Sequence, residues 1–463
     1  MDAAAAMSTT VFGLVSPILA SVLGVPSGGS AWGTAIIAMF FFVVVALIAS
    51  GVAQDVDRRW LPLTIMAGYG AKLVGSTARY LVLELVYGGR GDASGYHATG
   101  IAYADVWRTF QVPSSVERVG TDVVEAITGI LYVPYQPNKL GGFFIFASLA
   151  FLGQILLYAA FRHSLPARHL KWYAAAIFFW PTIVYWPSSI GKESLMLLWI
   201  GVTAYGVARL VSGYNPTWVA VIGLGLFGCG LIRLHMALLL AGALFLALLV
   251  AKAPSVRAAQ TRRLLLVAGA AAGLALVVAL TAQDFGVDLT AAASIDAATD
   301  EVGEVFEGVE TQTDQGGSAV SGQTVSSVAD IPEAILRVIF RPLPNEASTM
   351  QLLVASIEGT LLLAITVVRL PWILRNLVRI RRTPYLLFAF FYSGGFIIAF
   401  SSILNLGILA RQRSQVMPLF LALIVVLARR QVDEPAEPEP VGSPARPVPA
   451  LASASTLAAP SEP

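Results

Sequence analysis

The side chains of this sequence that could do chemistry gather in five short polar clusters, each set between long apolar runs. The first holds Arg90, Asp92, Tyr96 and His97 among glycines at 88, 89, 91, 95 and 100. The second is Trp186-Pro187-Ser188-Ser189-Ile190-Gly191-Lys192-Glu193-Ser194, and the third pairs Arg233 with His235. The fourth is Arg341-Pro342-Leu343-Pro344-Asn345-Glu346, and the fifth runs from Asn405 to Arg413 and includes Arg411. Guanidinium forks bind phosphate oxygens two at a time, so repeated arginines near a membrane surface fit a lipid-linked phosphate or diphosphate. A carboxylate such as Asp92, on a glycine-rich stretch that lets substrate approach, fits removal of a proton from an attacking sugar hydroxyl. The leaving group would then be the phosphate, whose departing charge fixed cations stabilise. On this reading Asp92 and His97 are the catalytic candidates. Lys192, Glu193, Arg233, His235, Arg341, Glu346, Arg411 and Arg413 are the substrate-binding candidates. Singly, each has a plainer role open to it. Asp92 can solvate a turn, Lys192 and Glu193 can cap a helix start, and the arginines can snorkel to ordinary headgroups.

The elements that must position these clusters follow from composition. Of 463 residues, 56% are hydrophobic and 13% charged, about half the charge of a soluble domain. The 30 basic and 28 acidic residues leave a net charge of +2, which excludes a strongly basic nucleic-acid binder. One cysteine, Cys229, supplies neither an intramolecular disulfide nor a cysteine-based zinc site. The expected fold is therefore all-α, a polytopic transmembrane helical bundle.

A spanning helix needs about 20 mostly apolar residues. About eleven such runs (10–12) are read near 31–52, 62–87, 140–161, 172–188, 194–211, 216–232, 236–251, 264–282, 350–369, 385–404 and 416–429. Residues 1–30 form an interfacial or additional membrane segment without the basic start of a cleaved signal. The transmembrane domain covers 31–430 and includes outer loops 88–139 and 283–349. Residues 431–463, rich in Pro, Ala, Ser and Glu, read as a disordered cytoplasmic tail. Basic clusters mark cytoplasmic loops. Arg58 and Arg59, Arg162 to Lys171, Lys252 to Arg263, Arg369 to Arg382, and Arg429 with Arg430 all fall on one side when the spans alternate. The five polar clusters then share the opposite, outer face. Lys72 and Arg79, inside the second span, are expected to find partners within the bundle, and Glu84 to lie near the site.

Four motifs carry a resemblance. These are Asp92-x-x-x-Tyr96-His97, the Phe179-Trp-Pro to Ser194 run, Arg341-Pro-x-Pro-x-Glu346-Ala347, and Ala410-Arg411-x-Arg413. Over roughly residues 30 to 430 the chain resembles bacterial polysaccharide polymerase-like membrane proteins of the Wzy and EpsG types, which share a layout with GT-C glycosyltransferases. The resemblance implies transfer or polymerisation of glycan units from a polyprenyl-(di)phosphate carrier at the outer face of the bacterial plasma (inner) membrane. Asp92 matches the acidic position of the first outer loop in GT-C enzymes, but Ala93 follows it where many carry a second acidic residue. No cofactor is implied, and a divalent cation has no ligand set in the sequence. The expected partners are the polyprenyl-linked sugar, membrane lipids and other envelope-glycan assembly proteins. Two other classes stay open, a secondary transporter or lipid-linked-glycan flippase and a noncatalytic membrane scaffold.

Overall fold

A computed structural model describes residues 31–52, 59–111, 120–135, 137–213, 215–251, 267, 269, 328–347, 349–403 and 405–427. The segment 1–30, nearly all of the apolar run 264–282, most of the loop 283–349 and the tail 431–463 lie outside the described residues. Among the described residues the chain is helical with no strand. In chain order the main helices are α1 (Ala31–Val52), α2 (Leu61–Leu81, continued by a π turn to Val86), α3 (Asp92–Arg108), α4 (Thr121–Tyr132), α5 (Lys139–Ser164) and α6 (Leu170–Phe179). There follow α7 (Pro181–Tyr185), α8 (Lys192–Ser212), α9 (Pro216–Ile232) and α10 (Leu234–Val250). The last four are α11 (Ile331–Ile335, continued by a π turn to Phe340), α12 (Met350–Leu377), α13 (Pro384–Phe400) and α14 (Leu406–Leu427).

Five helices, α1 from Gly33 onward, α5, α8, α12 and α14, are long and apolar enough to cross a membrane, and α9, α10 and α13 are shorter apolar helices. This is a membrane protein in which α5, α8 and α14 are the best-buried helices of that set, and α1 and α12 leave most of their apolar surface outward. The α5–α8 crossing is close because glycines meet on it. A Cβ at Gly153 would stand 2.3 Å from the Leu197 carbonyl oxygen, and one at Gly201 would stand 2.5 Å from that of Gly153. Small residues permit such backbone approach where lipid offers no hydrophobic drive to pack.

Contacts gather the helix ends into two opposed groups. At one end Arg162 donates to the Val52 carbonyl, Asn376 to that of Leu427 over 2.8 Å, and Lys171 lies over the Trp60 ring. At the other end Lys139 pairs with Glu84 over 2.7 Å, Gln351 donates to the Tyr185 hydroxyl over 3.0 Å, and the Gly120 amide donates to the Leu231 carbonyl over 2.8 Å. The first group includes residues of the basic clusters, and the second adjoins the five polar clusters.

Three expectations are corrected. The region 88–139, read as a loop, contains α3 and α4. Its helices escape a hydropathy reading because they carry Gly, Ser, Thr and charged residues, yet they pack on each other where Gly100 faces Thr128. The run 172–188 is not one helix. Pro181 cannot donate to a preceding turn and forces Trp180 to extended backbone, splitting the run into α6 and α7. The new start is capped by Glu358 of α12, which accepts from the Trp180 indole (2.5 Å), the Thr182 amide (2.7 Å) and the Thr182 hydroxyl (2.6 Å). Finally, the cluster from Asn405 to Arg413 is not a loop before a span at 416. The Asn405 side chain accepts from the amides of Gly407 (2.9 Å) and Ile408 (3.1 Å), and α14 begins at once. Arg411 and Arg413 are therefore helical residues on a rigid element.

Candidate functional site

α8 begins at Lys192, and its second residue, Glu193, sets the centre of the site with a side chain only 2% exposed. A carboxylate that far from water needs charged donors. It has two. Arg233, at the turn between α9 and α10, places Nη2 2.9 Å from Oε1. Arg411, on the second turn of α14, donates from Nη2 to Oε2 over 2.9 Å and holds Nε 2.8 Å from Oε1. The remaining Arg411 nitrogen, Nη1, donates over 3.2 Å to Oδ2 of Asp92, which stands in the first turn of α3 with its side chain 61% exposed. Arg233 also donates to Gln412. Four parts of the chain, far apart in sequence, thus converge on one ionic network.

A cleft of about 240 Å³ opens beside Asp92 and Arg411. Arg79, Arg90, Ser189, Gln351 and Tyr87 share its wall with apolar Val82, Leu83, Phe143 and Ile190. Arg79 is held there by a 3.2 Å hydrogen bond to the Ser189 hydroxyl and by the Trp186 and Tyr185 rings, 4.8 and 5.2 Å from its guanidinium carbon. Three guanidiniums and one carboxylate line the cleft, and part of the Arg411 charge is already neutralised by Glu193. The arrangement suits an anion with several oxygens, flanked by apolar surface on one side.

Not every candidate reaches this cleft. His97 turns toward α4, its Nδ1 3.0 Å from the Tyr132 hydroxyl, and it is absent from the cleft wall. Burial, with a contribution from the Lys139 charge and partial opposition from Glu84, pushes the His97 pKa down to about 4. The imidazole is therefore neutral at ordinary pH. Because its pKa falls below the unfolded value near 6.5, stability is complete above that value and declines as pH drops toward 4. A His97→Asn variant, measured beside wild type in detergent-solubilised thermal unfolding, is expected to lose that decline between pH 6.5 and 4. An equal decline in both proteins would contradict the assignment.

Lys192 is half-buried next to Glu193 at the start of α8. His235 packs on the Phe400 ring, with centroids 5.9 Å apart. Arg341 and Glu346 do not join the network but bind each other, Nε to Oε1 over 2.8 Å and to Oε2 over 3.0 Å, while the Leu343 amide donates to Oε2 over 2.8 Å. Burial alone would raise the Glu346 pKa, but these donors outweigh it and hold the carboxyl below its usual range. Arg413 is corrected outright. It is 0% exposed and spends Nη1 on the carbonyls of Ile339 (2.8 Å) and Arg341 (3.0 Å), with Glu358 3.9 Å from Nη2. It fixes the backbone that presents Arg341 and is closed to a substrate.

Lys72 and Glu84 behave structurally as well. Lys72 is fully buried and donates to the Ile183 carbonyl over 2.8 Å, and Glu84 is taken by Lys139. Arg79, Ser189 and Gln351 are the cleft residues that the sequence did not nominate, although Ser189 lies within the Phe179 to Ser194 run. Among the described residues no three His, Cys, Asp or Glu side chains stand close enough to hold a metal ion. No family model, no curated protein and no solved structure matches this chain.

Proposed function

We propose that the chain transfers or polymerises glycan units from a polyprenyl-(di)phosphate carrier at the outer face of the bacterial plasma membrane. One observation carries the reading: the cleft joins three arginines to an exposed carboxylate, Asp92, at one end of an apolar helical bundle. Asp92 takes the proton of the acceptor hydroxyl as its oxygen bonds to the anomeric carbon. The bond from that carbon to the phosphate oxygen breaks, and the phosphate leaves with the electron pair onto Arg79, Arg90 and Arg411. Membrane lipid supplies the carrier, and other envelope-glycan assembly proteins are the natural partners.

The proposed threading has eleven spans, with the described helices alternating and the run 264–282 supplying the eighth. It puts the cleft outside and the tail in the cytoplasm. In a Cys229→Ala background, Gln111→Cys, beyond the α3 end, is expected to react with an impermeant maleimide in spheroplasts. Ala167→Cys, at the opposite helix ends, is expected to react only after lysis. The reverse pattern would turn the cleft to the cytoplasm.

The transporter class draws on a different observation, the buried Lys72 beside the broken helix α6–α7, since interrupted helices mark many transport sites. Purified protein in liposomes, given a lipid-diphosphate-linked oligosaccharide and an acceptor, separates the two. Glycan transfer yields longer chains and free lipid diphosphate. A transporter or flippase leaves every glycan the same length, and that result would end the transferase reading.

A further inference from the structure

Arg411 is held unequally by its two carboxylates. Nη2 and Nε meet the buried Glu193 at 2.9 and 2.8 Å, whereas Nη1 reaches the exposed Asp92 at 3.2 Å. Exposed ion pairs contribute little because water and ions compete for both partners, whereas breaking a buried pair leaves a charge stranded. The two ends of the Arg411 fork therefore differ in how readily they let go. The weak end is the one that faces the cleft, where Arg79 and Arg90 add positive charge.

We propose that a phosphate group entering the cleft takes Arg411 Nη1 away from Asp92, so that the carboxylate is released toward the acceptor only once the donor phosphate is in place. No covalent bond changes in this step. One acceptor of a hydrogen bond replaces another, and the second carboxylate, Glu193, keeps the guanidinium from following its old partner. Glu193 is a positioning residue in this account, with Arg233 sharing its charge and fixing its orientation. The inference rests on the glycan-transfer reading and adds an order to it: phosphate first, acceptor activation second.

Calorimetric titration of the full-length protein in nanodiscs with inorganic diphosphate tests the exchange. Since Asp92 competes with the anion, Asp92→Asn is expected to bind diphosphate about two- to fivefold more tightly, the range an exposed ion pair is worth. Arg411→Lys is expected to bind more weakly, and in that background the Asp92→Asn gain should fall below about twofold, because an ammonium lacks the fork that spans both carboxylates. Unchanged or weaker binding by Asp92→Asn overturns the exchange. So does a gain that persists undiminished with Arg411→Lys, which would show simple charge repulsion. Either result, with wild-type binding intact, leaves the anion cleft and the transferase reading standing. Failure of wild type to bind diphosphate at all removes both. Polyprenyl phosphate in the nanodisc is expected to lower the apparent diphosphate affinity if a lipid headgroup is the occupant, and an unchanged affinity would assign the site to free phosphate and overturn the lipid-linked donor.

Discussion

Asp92→Asn is expected to lower glycan turnover about 10²- to 10⁴-fold, the usual loss when a general base is removed. Asn keeps nearly the same volume and can still accept from Arg411 Nη1, so the packing of α3 is undisturbed. It cannot take a proton. The variant is expected to insert and to elute from a sizing column as wild type does, which separates a chemical loss from a folding one. Initial rates of lipid-diphosphate release, with donor saturating, are the measurement. Wild-type rates in Asp92→Asn would reduce Asp92 to a first-turn helix residue whose carboxylate only favours the positive end of α3.

The second large effect falls on stability rather than rate. Arg413→Met keeps most of the apolar stem and removes the guanidinium, leaving the Ile339 and Arg341 carbonyls without their donor and Glu358 without a nearby cation. Removing one partner from a buried charged network costs about 3 to 5 kcal/mol, and each stranded carbonyl adds to the loss. Unfolding titrated with SDS from mixed micelles should shift to lower detergent fraction by an amount in that range. Arg413→Lys is not expected to rescue it, since the lysine nitrogen ends one bond short of Nη1, the single atom that donates to both carbonyls. A shift within error would mean that the bundle closes around the shorter, uncharged side chain and that the π turn ahead of Arg341 holds itself.

Much of the bundle was legible because lipid imposes its own length. The boundaries of α1, α5, α8, α9 and α10 fall close to the apolar runs read from the sequence, and Arg162, Lys171 and Arg381 each meet the end of a neighbouring helix or its flank, at Val52, Trp60 and Val250. What hydropathy hid was helix whose polar residues face protein. Arg411, Gln412, Arg413 and Gln415 make the start of α14 look like a loop, yet Arg413 and Gln415 are fully buried inside the bundle. Lys72, Ser76 and Arg79 similarly disguise which face of α2 is interior. The outer helices α3 and α4 carry too little apolar patterning to announce themselves.

The site divides along the same line. Asp92, Glu193, Arg233 and Arg411 could be nominated because each breaks an expectation about charge at a membrane end, and they converge. Glu193 nevertheless looked like an ordinary helix-start residue, since nothing local shows that arginines 40 and 218 positions away will bury it. Arg79 shows the opposite problem. Its role depends on Trp186 and Ser189 folding back over α2 after the break at Pro181, and sequence spacing carries no trace of that turn.

The most direct test of the central claim is to ask where the donor headgroup sits. A polyprenyl diphosphate carrying a photoreactive group on its first sugar, irradiated with the reconstituted protein and followed by peptide mass spectrometry, reads this position. Adducts are expected on peptides containing Arg79 to Ala93, Ser189 or Gln351, and unlabelled lipid-linked donor should suppress them. Adducts confined to the outward apolar faces of α1 and α12, or insensitive to unlabelled donor, would contradict a lipid-linked glycan in this cleft.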